Sequence, residues 1–363
     1  MPTRGRSGRL LAVLAGVSAL VVAGVAAPAQ ASSRIPRPAP TTTTAPAPVM
    51  PKSWILVDAD TGKVLDAHDE HTRRRPASTI KLLTVLTALQ HLPSSADVTA
   101  SALAASMPAR KMGFAAGTTW PLDDMVASAM IVSANDAAVA LGEASAGSLD
   151  AFAVQLRATA QALGLVDEPV LEDPAGLDDE FAHGGGDWIS AWDLAIVGRA
   201  AWRVPRLRTI AAEPIVRFTD PDGKDHRLVN HNRLLTDYEG GNGLKPGYTR
   251  QAGNTFVGTA TRGGRTMLVV VLDAPDLYTP MQLLFDKGFA IAASAETGPM
   301  LPVRALAAPA QPEVARRAAA VGKKPSTSRS TSFGRDAGQW VALAAAAVAL
   351  SVVELRRRRA HRR

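Results

Sequence analysis

The chain has 363 residues, 47% of them hydrophobic, enough to bury a sizeable core and too many for a wholly disordered protein. It has no cysteine, which excludes disulfide staples, cysteine-ligated metals, iron–sulfur clusters and a thiol nucleophile. The net charge of +7 is terminal: without three arginines in the first ten residues and six in the last eight, 31 basic residues face 33 acidic ones, so no nucleic-acid partner is expected.

Residues 1–31 read as a secretory signal peptide. A basic start, MPTRGRSGR, precedes an apolar stretch from Leu10 to about Ala27, and the small residues Ala29 and Ala31 place cleavage before Ser32. Residues 32–51 are rich in proline, alanine and threonine and form an extended linker. Residues 52–297 hold the body. A hairpin is expected first, with strands over 54–58 and 63–67 around a turn at 59–62. Apolar residues at helical spacing follow in STIKLLTVLTALQHL. Further helices are expected over 122–147 and over 150–163, the latter closed by Gly164, and Ser190 caps another. The second half turns to strands at 215–219 and 227–230. A hairpin at 254–262 and 265–273 is joined by Gly263-Gly264, and a last helix runs over 277–293. Strands at both ends with helices between imply an α/β (α+β) fold: an antiparallel sheet flanked by helices, plus an all-helical lobe.

Residues 298–336 form a second linker, rich in Ala, Pro and Ser. Residues 337–355 have the length of a single transmembrane helix, and the arginines of 356–363 mark a cytoplasmic tail by the positive-inside rule. The expected topology is an exported protein held at the cell membrane, with its body extracellular and its C-terminus cytoplasmic.

Three short motifs in the body carry chemistry. Ser78 and Lys81 are three apart and share a helix face. A serine hydroxyl needs a neighbouring base to become a nucleophile, and a buried lysine of lowered pKa can be that base. Ser133 and Asn135 offer a second hydroxyl to move a proton and an amide to hold a carbonyl, although both residue types also favour helix caps. Lys245-Pro246-Gly247, then Tyr248 and Thr249, stands before a strand, with a positive charge for a carboxylate and a glycine that lets a ligand approach the backbone. Each motif also occurs in ordinary helices, caps and turns. His68, His71, His183 and Asp178-Asp179 form no metal set and read as surface.

The three motifs in this order, with PASTIKLLT, IVSANDAAVALGE, DPAGLDD and GLKPGYTRQAGNTFVGTATR around them, resemble the D-alanyl-D-alanine carboxypeptidases, the low-molecular-mass penicillin-binding proteins of peptidase family S11. The resemblance covers residues 52–297. It implies the transpeptidase fold shared by penicillin-binding proteins and serine β-lactamases, peptidoglycan stem peptides as substrate, β-lactam antibiotics as inhibitors, and no metal or organic cofactor. It implies Ser78 as nucleophile, Lys81 as base and Ser133 as proton relay. Asn135, Lys245, Gly247, Tyr248 and Thr249 would bind substrate, with the Ser78 and Tyr248 N–H groups as oxyanion hole. One departure stands out. The family places threonine or serine where this chain has Pro246, so a hydroxyl bond to the substrate carboxylate is missing, and Thr249, Arg250, His231 or Arg233 are the candidates to replace it. Two alternatives share the motifs. A serine β-lactamase is echoed by Glu168-Pro169-Val170-Leu171, but Glu172 stands where an asparagine belongs. A non-catalytic wall-binding homologue is supported only by Pro246.

Overall fold

The computed structural model describes residues 48–302 apart from 221, 296 and 297, together with 304 and 306. The expected signal peptide, most of both expected linkers, the helix expected over 337–355 and the basic tail at 356–363 lie outside the described residues. Among the described residues no single helix is long and apolar enough to cross a membrane.

The body opens with the expected hairpin, β1 (Ser53–Asp58) and β2 (Val64–His68). A 3-10 turn, Ala77–Ile80, leads into α1 (Lys81–His91). Then come β3 (Asp97–Thr99), α2 (Ala102–Ser106), β4 (Thr119–Pro121), α3 (Leu122–Ile131), α4 (Asn135–Ala146) and α5 (Leu149–Leu163). The Ser148 hydroxyl accepts from Ala151 N at the start of α5, and Gly164 ends it in the left-handed conformation. Next are α6 (Ala191–Arg203), capped by Ser190 as expected, α7 (Pro205–Ala212), and the small hairpin of β5 (Ile215–Thr219) and β6 (Asp225–Val229). The chain closes with α8 (Leu234–Asp237), β7 (Gly241–Thr249), β8 (Gly253–Arg262), β9 (Arg265–Ala274) and α9 (Tyr278–Ala290).

The main sheet has the order β2-β1-β9-β8-β7, with each neighbouring pair antiparallel. Both ends of the body therefore build one sheet. On one face, Phe256, Met267, Val269 and Val271 pack with Met281 and Phe285 of α9. On the other, Ile55, Val257, Leu268 and Val270 join a larger core with α1, α3, α4, α5 and α6. Burial on both faces explains why β9 reads as a continuous apolar run and not as an alternating one.

Two expectations need correction. Residues 122–147 do not form one helix. The chain breaks at Val132, Ser133 and Ala134, where Ser133 takes φ 64°, so α3 and α4 are separate and residue 133 is turned out of helical register. The 245–247 motif lies inside a strand and not before one. Pro246 is tolerated because β7 is a sheet edge, paired among the described residues with β8 alone, and an edge strand has a side on which no ladder N–H is needed.

Candidate active site

The nucleophile candidate is held by its backbone. Ser78 sits in the 3-10 turn ahead of α1. The Pro76 carbonyl accepts hydrogen bonds from Thr79 Oγ1 at 2.6 Å and from Thr255 Oγ1 of β8 at 2.8 Å, so the sheet clamps the turn. Two glycines allow the approach. A Cβ on Gly247 would lie 2.5 Å from Thr255 Oγ1 and 2.9 Å from Ser78 N. A Cβ on Gly176, itself at φ 70°, would lie 2.0 Å from the Ala77 carbonyl oxygen.

Lys81 is wholly buried beneath Ser78. Its Nζ is 2.8 Å from Ser78 Oγ, 2.8 Å from Asn135 Oδ1 and 2.6 Å from the Ala175 carbonyl oxygen. Burial lowers its pKa to about 7, although the carboxylates of Asp173, Asp136 and Asp187 oppose the shift. Lys81 is thus poised near neutrality between ammonium and free amine. In the free amine the bond to Ser78 reverses, and the hydroxyl donates to the nitrogen lone pair.

Asn135 opens α4, and its Nδ2 donates to the Pro108 carbonyl at 3.0 Å. Beside it, buried Asp136 accepts from the N–H groups of Met112, Gly113 and Phe114 at 3.0, 2.8 and 3.3 Å. Asn135 N also donates to the Arg110 carbonyl at 2.8 Å. The 108–114 segment is therefore fastened along the start of α4.

Lys245 is also buried. Its Nζ donates to the Pro246 carbonyl at 3.1 Å. Burial first, then the charges of Lys81 and Arg110, holds its pKa well below the usual lysine range. Strand geometry orients the rest of this edge. Pro246 has no N–H to give to β8, and the two-residue strand period turns the Tyr248 N–H to the same side of β7 as the Pro246 nitrogen.

These groups surround a cleft of about 500 Å³. Of the residues expected from sequence, Ser78, Ser133, Asn135, Lys245, Gly247, Tyr248 and Thr249 line it, and Lys81 lies behind Ser78. Among the described residues the Ser133 hydroxyl makes no hydrogen bond to Lys81, whose donors are already engaged. His231 and Arg250 reach the wall and Arg233 does not. Asp178, read as surface, also lines the cleft, where its carboxylate receives the Arg250 N–H at 3.1 Å. Sequence reasoning missed Arg110, which stands in no motif, and the Ala175 carbonyl. Asp173 fixes that carbonyl by accepting from the N–H groups of Ala175 and Leu177 at 3.2 and 2.9 Å.

A serine bonded to a buried, near-neutral lysine at a sheet edge defines a serine-dependent acyl-transfer enzyme. The family model for D-alanyl-D-alanine carboxypeptidases matches residues 40–276, and the chain belongs to that family, peptidase family S11. It is 34% identical over 253 residues to the D-alanyl-D-alanine carboxypeptidase DacB2 of Mycobacterium tuberculosis, covering 68% of this chain and 85% of that one. The crystal structure of a D-alanyl-D-alanine carboxypeptidase from Mycobacterium tuberculosis H37Rv superposes with a TM-score of 0.65 at 33% identity, over 71% of this chain and 98% of that one. DacF of Bacillus subtilis is 31% identical over 228 residues, covering 61% of this chain and 57% of that one. The fold is that of the penicillin-binding proteins.

Proposed function

We propose that this chain removes the terminal D-alanine from peptidoglycan stem pentapeptides through an acyl-enzyme on Ser78. The observation that carries the reading is the 2.8 Å contact between Ser78 Oγ and a lysine of pKa about 7. In its free-amine form Lys81 takes the hydroxyl proton as Oγ attacks the carbonyl carbon of the penultimate D-alanine. The N–H groups of Ser78 and Tyr248 receive the negative oxygen of the tetrahedral intermediate. The C–N bond then breaks as Ser133 gives its hydroxyl proton to the departing amine and is reprotonated by the Lys81 ammonium, which returns Lys81 to the free amine. Asn135 and the open edge of β7 hold the peptide, and Lys245 supplies positive potential. Water then attacks the ester, Lys81 accepts its proton, and Ser78 is released with the shortened peptide.

A β-lactam presents a strained amide to the same serine, so penicillin is an acylating inhibitor. The terminal segments support an exported enzyme tethered by the helix at 337–355 to the cell membrane, with its body outside and the arginine tail in the cytoplasm. Incubating purified protein with a peptide ending in D-Ala-D-Ala tests the activity. Release of free D-alanine is expected, and its absence in a folded sample ends the reading. Ending the chain at residue 298 is expected to move penicillin-labelled protein from the membrane fraction to the medium. Label that stays with the membranes ends the tether.

A further inference from the structure

The groups beside Pro246 raise the question of what receives the substrate's terminal carboxylate. A proline side chain has no donor, and its nitrogen has no proton. Of the four replacements considered from sequence, Arg233 lies outside the cleft wall and pairs with Asp237 at 2.6 Å. Arg250 reaches the wall, but its guanidinium pairs with Glu180 at 3.0 Å. Thr249 Oγ1 accepts from Ala252 N at 3.1 Å and keeps its own proton for a ligand, but a neutral hydroxyl offers one donor where a guanidinium offers a charged fork.

Arg110 differs from these cations. It lies on the cleft wall, is exposed, and among the described residues no carboxylate comes within ion-pair distance of it. Its side-chain partner is His231, through Nη1 against Nδ1. Burial, then the positive surroundings of Arg110 and Lys245, lowers the His231 pKa, which favours the neutral ring. A neutral Nδ1 accepts from the guanidinium without cancelling its charge. That contact orients Arg110 and leaves its other N–H groups for a ligand. The backbone is equally fixed, since the Pro108 and Arg110 carbonyls accept from Asn135, and Met112 N and Gly113 N bond Asp136.

We infer that Arg110, oriented by His231, binds the terminal carboxylate of the substrate and replaces the hydroxyl that Pro246 cannot supply. Its guanidinium makes the cleft wall cationic where the negative end of the peptide arrives, and a planar fork matches a carboxylate better than a single hydroxyl. The selectivity of the enzyme for peptides with a free C-terminus then rests on a loop outside the three motifs. The inference relies on the carboxypeptidase reading above.

The test uses the full chain and two substrates, a peptide ending in D-Ala-D-Ala and the same peptide with a C-terminal amide. For the wild type, kcat/KM is expected to favour the free acid. Arg110→Ala is expected to reduce that preference by about ten- to a hundredfold, mainly through KM, at an unchanged thermal midpoint. Arg110→Lys is expected to keep part of it. In the Arg110→Ala background, Pro246→Thr is expected to regain about tenfold on the acid, but less than about threefold in the wild type. An unchanged preference in Arg110→Ala, or equal loss on acid and amide, overturns the role of Arg110 and leaves the carboxypeptidase reading standing. If the wild type releases neither D-alanine nor D-alaninamide, the reading itself falls, and the inference with it.

Discussion

Gly247 and Ser78 stand so close that a Cβ at position 247 would lie 2.9 Å from the Ser78 backbone nitrogen. The edge strand thus runs close beside the Ser78 N–H, one of the two donors proposed for the oxyanion. Gly247→Ala would also meet Thr255 Oγ1, at 2.5 Å, and that hydroxyl holds the turn through Pro76. Displacing Ser78 by even part of an ångström is expected to slow acylation by about a hundredfold, with little change in far-UV circular dichroism. Labelling kinetics with fluorescent penicillin measure this, and a wild-type rate would show that the contact is not needed.

Ser78→Ala is expected to abolish covalent labelling. Lys81→Met keeps the nucleophile and removes the base, and acylation is expected to drop by about a hundred- to ten-thousandfold. Mass spectrometry of the acyl-enzyme distinguishes the two variants. Label retained by Ser78→Ala would move the nucleophile elsewhere.

The pH dependence follows from Lys81. Acylation requires the free amine, so its rate is expected to rise with pH through about 7 and then level off, falling about tenfold per unit below. Stability follows the same group with a definite sign. The folded pKa lies below the ordinary lysine value of 10.5, so between about 7 and 10.5 the unfolded chain binds more protons. The contribution of Lys81 to stability is therefore expected to fall as pH drops from 10.5 to about 7 and to stay level below. Single-turnover rates and denaturant midpoints across this window, compared with Lys81→Met, check both statements.

Asp136 is buried and holds three N–H groups of the 112–114 segment besides the Ala137 N–H of its own helix. Asp136→Ala leaves these donors without partners and releases the loop that carries Arg110. A loss of about 3–5 kcal/mol is expected, since each backbone donor left unpaired costs about 1–3 kcal/mol where it is buried. In a body of this size that corresponds to roughly 6–20 °C in thermal midpoint, read by calorimetry. A shift under about 2 °C would mean that the loop is held by other contacts.

Much of the fold was legible because it follows from local rules. The Gly263-Gly264 hairpin, the Gly164 cap and the Ser190 cap are each set by residues adjacent in sequence, and all three appear where expected. The three motifs were legible too, because their order and surroundings resemble the D-alanyl-D-alanine carboxypeptidases, while each alone reads equally as a helix, a cap or a turn. The break at Ser133 was not legible, since its alanine-rich flanks favour helix on both sides and the packing of α3 against α4 decides where the chain turns.

The sequence by itself, through its resemblance to a known family, singled out the candidates Ser78, Lys81, Ser133, Asn135 and Lys245. Tertiary structure decided what state they are in and which others join them. Lys81 has a pKa near 7 only because the fold buries it wholly, at the junction of α1, α4 and the Ala175 carbonyl. Arg110 meets His231 across 121 residues of chain only because Asp136 and Asn135 fasten its loop to the start of α4. Proximity of that kind depends on long-range packing, which no local pattern of residue types encodes.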